Sequence, residues 1–359
     1  MDATVSQILE TLSIDPVNRS TSPTEYELMR DRDMSKKSMN GILHPITAVI
    51  ALCVFMSMPR AESPLVGQPS TNADADRLLN GAIDIHLHID PRPYGADIST
   101  LRLAASRGVR GVVIKNHYEP TVDLSLLLRR EVTGIEIFGG VDLNHVVGGV
   151  NAAIVEHMGE ALGGSGGFRG REPLAPRTGI VWMPTFDSEN AVRAANQTRP
   201  FLTVSRNGEL VSEVKRVISV IAKYGLVLAT GHNSADEALM ILREGRAQGV
   251  QHMVVTHAMD NPIFMDIPQM KEAVELGAII EFDYRLVLSH EDQLEAIRQL
   301  GTQHAILSEF LMPTGGSEPL QYAGLDSMNG FVAGMRAHGF TDGDLDLMLK
   351  ENPARLLGL

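Results

Sequence analysis

The chain has 359 residues, 44% of them apolar, with one cysteine, twelve histidines and a formal net charge of −13. A single cysteine excludes an internal disulfide framework and a cysteine-rich zinc ribbon, and the acidic balance argues against nucleic-acid binding, which needs clustered Lys and Arg. The length admits two domains of about 150 residues, or one α/β barrel of about 250 with extensions.

Residues 1–33 are polar and mixed in charge, with Pro16 and Pro23, and read as disordered or as lying upstream of the true start. Segment 34–63 opens on Met34-Ser35-Lys36-Lys37 and carries an apolar run from Ile46 to Met58, which Pro59-Arg60-Ala61-Glu62-Ser63 follows. Positive start, apolar middle and small residues after it make a secretory-signal or anchor pattern. The run is shorter than the roughly 20 residues of a membrane span, Pro45 stands directly before it, and a buried helix is the competing reading. Read as a signal, the segment implies export to the periplasm or medium; otherwise the chain is cytoplasmic. Membrane contact is expected only if the segment is retained as an anchor. Cys53 falls inside this run, and residues 64–77, with Pro64, Gly67 and Pro69, read as a linker.

From Leu78 to the end, short apolar runs alternate with longer amphipathic ones. The pattern predicts strands at Ala82–His88, Gly111–His117, Ile135–Leu143, Gly179–Met183, Leu226–Thr230, His252–Thr256, Ala278–Phe282 and Ala305–Ser308. Helix-like stretches between them include Leu101–Arg107, Ser212–Lys223, Ala235–Glu244, Ile267–Leu276 and Leu294–Leu300. Parallel strands covered on both faces by helices read in this way, and eight such units predict an α/β fold, a single (β/α)8 TIM-type barrel over 78–359. An open doubly wound sheet competes, but no Gly-x-Gly-x-x-Gly follows the first strand. Gly163-Gly164-Ser165-Gly166-Gly167 lacks the Lys-Ser/Thr ending of a phosphate loop and reads as a flexible loop.

The chemistry concentrates in Ala82-Ile83-Asp84-Ile85-His86-Leu87-His88. Side chains alternate along a strand, so His86 and His88 face the same way at its C-terminal end, the end at which barrels of this type carry their active sites. Two such imidazoles can share a metal ion at ~2.0–2.1 Å; two core histidines satisfied by hydrogen bonds are the alternative. His232 ends the fifth candidate strand and His257 the sixth. Four histidines at strand ends are difficult to assign to packing.

These residues, with the ending Asn352-Pro353-Ala354-Arg355-Leu356-Leu357-Gly358-Leu359, make the chain from about Leu78 onward resemble the amidohydrolase superfamily of metal-dependent hydrolases, including its phosphotriesterase-like branch. It looks closest to a small, poorly characterised bacterial branch with a lysine at strand two and Trp-Met-Pro-Thr at strand four. The resemblance implies a distorted β/α barrel and one or two divalent metals, zinc foremost with iron or manganese as alternatives. It implies that His86 and His88 hold the more buried metal and that His232 and His257 hold the more exposed one.

Two departures from the family pattern stand out. Strand four, Gly179–Thr185, has neither the lysine nor the glutamate that usually bridges two metals. Lys115 is the expected replacement: a buried lysine has a depressed pKa, and the neutral amine reacts with CO₂ to a carbamate. An ion pair with a strand carboxylate such as Glu281 is the alternative for Lys115. At strand eight, where the family has an aspartate, Glu309 follows Ser308 and is expected to bind metal and act as catalytic base. The extra methylene matters, because a positioning error of about 1 Å can cost ~100-fold in rate.

The expected reaction is attack by metal-activated hydroxide on an amide, lactone or ester bond of a small molecule, with Glu309 moving the proton. A single-metal decarboxylase of the same superfamily and a non-catalytic metal-binding barrel are the alternatives. Arg92, Tyr94, Asn144, His145 and Arg285 follow strands on the active-site face and are candidate substrate contacts. His117 shares the direction of Lys115 as ligand, ligand-orienting residue or substrate donor. The stretch 186–211 is long for a βα loop and reads as a lid. The partner is a small-molecule substrate, with no nucleic acid; homo-oligomerisation is left open.

Overall fold

The computed structural model describes residues 72–89, 96–163, 178–312 and 323–359. Segments 1–33 and 34–63, Cys53, linker residues 64–71, Arg92, Tyr94 and glycine-rich residues 164–167 lie outside them.

The strands are β1 (Ile83–His88), β2 (Gly111–Lys115), β3 (Glu136–Phe138), β4 (Gly140–Asp142), β5 (Ile180–Trp182), a short hairpin β6 (Ser205–Arg206) and β7 (Glu209–Leu210), then β8 (Val227–Ala229), β9 (His252–Val255), β10 (Ala278–Asp283) and β11 (Ala305–Ser308). The helices between them are α1 (Asn72–Leu79), α2 (Ile98–Ser106), α3 (Val122–Glu131), α4 (Ala152–Ala161), α5 (Glu189–Ala194), α6 (Ser212–Tyr224), α7 (Ala235–Ala247), α8 (Ile267–Glu275), α9 (Tyr284–Val287) and α10 (Glu291–Leu300). After β11 come α11 (Ala323–Ala337), α12 (Asp342–Asp346) and α13 (Asn352–Leu356).

Every pairing outside the β6–β7 hairpin is parallel, in the order β1-β2-β3 and β4-β5-β8-β9-β10-β11. β3 and β4 are two halves of one predicted strand, so eight strand positions follow one another as in a TIM-type barrel, an α/β architecture. Two glycines mark the change of partner between the halves. A Cβ on Gly139 would lie 2.6 Å from Val122 N, and one on Gly140 would lie 2.4 Å from both Ile180 O and Trp182 Cζ3.

Alternation along the strands sorts two cores. Inward residues such as Ile83, Ile85, Val113, Phe138, Ile180, Val254 and Ile306 fill the interior, and Ala354, Leu356 and Leu357 of the C-terminal segment join the same cluster. Outward residues such as Val112, Ile114, Leu228 and Leu307 meet the helices. α6 shows why these helices form: Val214, Val217, Ile218 and Ile221 recur at helical spacing on its buried face, each contributing about 1.5–3 kcal/mol by burial. α7 and α8 begin with capping boxes, Ser234 with Glu237 and Asp266 with Gln269. The Asn-Pro-Ala ending is a structural plug: Asn352 Nδ2 donates to Thr302 O and Ala305 O, both at 2.7 Å.

Two expectations change. Residues 72–77, read as the end of a linker, belong to α1. There Ala75, Leu78 and Leu79 are buried, Arg77 pairs with Asp346 at 3.0 Å and Asp74 with Arg336 at 3.1 Å. The stretch read as a lid contains α5 and the β6–β7 hairpin. It also buttresses the loop after β8: Ser188 Oγ and Asn190 Nδ2 donate to His232 O at 2.9 and 3.1 Å.

Candidate functional site

β1 places its two histidines through an irregularity that alternation alone does not show. Ile83 and Asp84 face Gly111 and Val112, but Leu87 and His88 face Ile114 and Lys115, so an extra residue is accommodated between them. The bulge shifts the phase, allowing Ile83 and Ile85 to face the interior core while His86 and His88 turn into the site. Asp84 pins this geometry. Its buried carboxylate accepts the N–H groups of His86, Glu309 and Leu311, each at 3.0 Å, tying β1 to the turn after β11. Burial pushes the Asp84 carboxyl up to about 6, against the pull of these N–H bonds.

His86 Nδ1–H donates to Glu281 Oε1 at 2.7 Å, which leaves Nε2 facing Lys115 Nζ at 3.0 Å. Glu281 also accepts from Ser308 Oγ at 2.6 Å and from the His257 N–H at 3.1 Å, so one carboxylate ties β1, β11 and the loop after β9 together. The His88 ring lies 5.0 Å from that of His86, and the His88 backbone N–H donates to Met312 Sδ at 3.4 Å. His232 follows Gly231, whose φ of +66° brings the backbone so close that a Cβ would lie 2.2 Å from Met183 O. Only glycine fits there. His232 Nε2 and His257 Nε2 are 3.2 Å apart, and the His86 and His257 rings stack at 5.7 Å.

The structure therefore brings His86, His88, His232, His257 and Lys115 together at the C-terminal ends of the strands. Burial lowers all four imidazoles, His257 to about 4 and the others well below the usual histidine range. Neighbouring titratable groups add to this, Lys115 at His86, His117 at His88 and His257 at His232. Among the described residues, no three His, Cys, Asp or Glu side chains are gathered as ready ligands of one ion.

His117 joins the cluster as a fifth imidazole, 4.7 Å from the His88 ring and 6.0 Å from that of His232. Its Nδ1 lies 2.8 Å from Asp142 Oδ2 and 2.9 Å from Thr185 Oγ1, and the half-exposed Phe186 ring covers it at 3.9 Å. Lys115 is buried, with Nζ 3.7 Å from Asp142 Oδ2 and 5.2 Å from the centroid of Trp182, the one tryptophan of the chain. The carboxylate beside this lysine is thus Asp142, because Glu281 is committed to His86.

Glu309 sits on a backbone with φ of +63°. Its Oε1 is 3.7 Å from His86 Nδ1, and Arg285 holds its Oε2 while also gripping Asp283 at 2.6 Å. Burial and the nearby Asp283 push the Glu309 carboxyl well above the usual range. The candidate substrate contacts separate. Arg285 faces Glu309 and Asp283. Asn144 is buried, giving Nδ2 to His117 O and Thr185 Oγ1 and accepting from the N–H of Thr185 and Asp187, so it shapes the loops. His145 is exposed.

Asp84, Asp142, Glu281 and Thr185 had no assigned place in the site from sequence, apart from Glu281 as an alternative lysine partner. The available signal was an acidic residue inside an otherwise apolar strand, as in Ile279-Ile280-Glu281-Phe282.

Comparison with solved structures supports the fold. The chain matches an amidohydrolase from Pseudomonas aeruginosa with a TM-score of 0.54 at 10% identity, over 80% of this chain and 98% of that one. It matches the YjjV TatD homologue of Escherichia coli K12 at 0.51 and 13% identity, over 78% and 99%. A lactonase template engineered for organophosphate hydrolysis matches at 0.50 and 17% identity, over 79% and 97%. At these identities the likeness is one of fold, and it agrees with the resemblance to amidohydrolases drawn from the histidine motifs. No curated protein matches the sequence. A family model does match residues 81–281, more than half of the chain and most of the strands that build the site, and the chain belongs to that family, described as a family of unknown function, DUF6282.

Proposed function

We propose that the chain is a metal-dependent hydrolase acting on an amide, lactone or ester bond of a small molecule. The observation that carries this reading is the convergence of four neutral imidazoles, His86, His88, His232 and His257, on one end of the barrel. Metal binding needs the neutral imidazole, and burial keeps these four in that form. Two ligands at ~2.0–2.1 Å on a tetrahedral ion stand roughly 3.3 Å apart, and His232 Nε2 and His257 Nε2 are separated by 3.2 Å. The His86–Glu281 contact is the carboxylate–histidine arrangement that fixes the tautomer of a ligand and frees its other nitrogen. Two further buried atoms, His257 Nδ1 and Asp142 Oδ1, make no hydrogen bond among the described residues. The donor types suit a divalent ion, and His232 and His257 already stand at ligand spacing.

A bound ion, zinc by this imidazole-rich donor set with iron or manganese decided by availability, would supply Lewis acidity and water activation. The protein's own groups do the rest. Glu309 takes the proton of the attacking water and returns it to the leaving group. Arg285 fixes the direction of the Glu309 carboxylate, and Asp84 fixes the backbone that carries it. Trp182 floors the site and Phe186 covers one flank, keeping solvent from the reacting groups.

The test is turnover of a panel of esters, lactones and amides by the full chain. The expected result is hydrolysis that a chelator abolishes and added Zn²⁺ or Mn²⁺ restores. Metal binding without turnover on any substrate would instead make the barrel non-catalytic, and CO₂ release from a carboxylic acid would make it a decarboxylase.

A further inference from the structure

Resting on that metal-site reading, we propose that Asp142 is an anionic ligand of the metal and that Lys115, uncarboxylated, is a resident cation that the metal displaces. Nothing in the sequence pattern or in the matched families assigns Asp142 a role. It ends β4, is 1% exposed and faces the interior beside Lys115 and His117. Its Oδ2 serves His117 Nδ1 and Thr185 Oγ1 at 2.8 and 3.0 Å. Its Oδ1 is buried and accepts no hydrogen bond from the described residues. A buried carboxylate oxygen without a hydrogen-bond donor is costly.

Lys115 shows where the donors converge. His86 Nδ1 is committed to Glu281, so the atom facing Nζ at 3.0 Å is the lone pair of Nε2, and Asp142 Oδ2 faces the same ammonium at 3.7 Å. An imidazole nitrogen and a carboxylate aimed at one positive charge are two of the donor types that zinc takes. Lys115 therefore competes with the metal for its ligands. With Asp142 present, the anionic ligand missing from strand four needs no carbamate. Carboxylating Lys115 would place a second anion against Asp142, in a pocket that already holds Glu281, Asp283 and Glu309.

The two accounts of Lys115 give opposite signs. The experiment strips the full chain with a chelator and titrates it with Co²⁺, in CO₂-depleted buffer and with added bicarbonate. Binding is followed by Trp182 fluorescence and by the visible spectrum of the cobalt. Wild-type affinity is expected to be independent of bicarbonate, and Lys115→Met to bind at least as tightly as wild type. Asp142→Asn is expected to lose more than ~100-fold and to change the cobalt spectrum, because a residue that only orients a ligand accounts for ~10–100-fold. His117→Ala, which removes one of the two partners of Oδ2 and leaves Oδ1 untouched, stays within that orienting range. Bicarbonate-dependent binding, weaker binding by Lys115→Met, or a loss of less than ~100-fold in Asp142→Asn each overturns the proposal. Failure of the wild-type chain to bind Co²⁺ would overturn the metal reading itself, a separate outcome.

Discussion

Glu309→Gln is expected to retain its metal and to lose turnover by ~10²–10⁴-fold, the usual contribution of a positioned acid–base group. The substitution is nearly isosteric, and the amide oxygen still accepts from Arg285, so the clamp formed with Asp283 stays in place. What disappears is the capacity to accept a proton. The position suits that role: a carboxyl whose proton affinity is raised by burial and by Asp283, on a turn set by Asp84, beside the His86 ring. The clamp also addresses the extra methylene of glutamate relative to the aspartate of related barrels. Arg285 on one oxygen and the left-handed backbone at Glu309 together hold a longer side chain in one place. Near wild-type turnover on the best substrate of the panel would remove Glu309 from the mechanism.

Asp84→Ala is expected to be the most damaging single change outside the imidazoles. The carboxylate satisfies three buried N–H groups, one from β1 and two from the turn after β11, and a buried donor left without a partner costs about 1–3 kcal/mol. A loss of about 3 kcal/mol or more in chemical denaturation follows, together with loss of metal, because the same bonds hold His86 and Glu309 in register. Asp84→Asn keeps an acceptor for His86 and Glu309 and fails only at Leu311, so its loss is expected to be smaller, about 1–3 kcal/mol. Equal stability of Asp84→Ala and wild type would show that the three bonds do not determine this geometry.

The fold was legible because buried parallel strands have to be apolar runs, and all eight fell where those runs predict them. His-x-His was legible for the same reason, since alternation puts both rings on one side. The bulge was not: inserting a residue opposite β2 changes no residue type, and only the pairing partners reveal it. Partners across loops were equally hidden. Arg285 and Asn144 look like free polar groups at a barrel mouth until Glu309, Asp283 and Thr185 are folded against them. Asp142 and Glu281 each read as one acid at a strand end, although tertiary contact gives one to His117 and Lys115 and the other to His86. α1 escaped because Asn72-Ala73-Asp74-Ala75-Asp76 has the composition of a linker, and its hold on the fold, the burial of Ala75, Leu78 and Leu79 and the ion pairs of Asp74 and Arg77, is tertiary.

The central claim, that the imidazole cluster is a metal centre, is tested most directly by elemental analysis of the purified full chain beside a His232→Ala/His257→Ala double variant. The expected result is one or two equivalents of a divalent transition metal per wild-type chain, and a loss of at least one equivalent in a double variant that remains folded. Wild-type protein without stoichiometric metal after incubation with Zn²⁺, Mn²⁺ or Fe²⁺, or a double variant with undiminished metal, would contradict it.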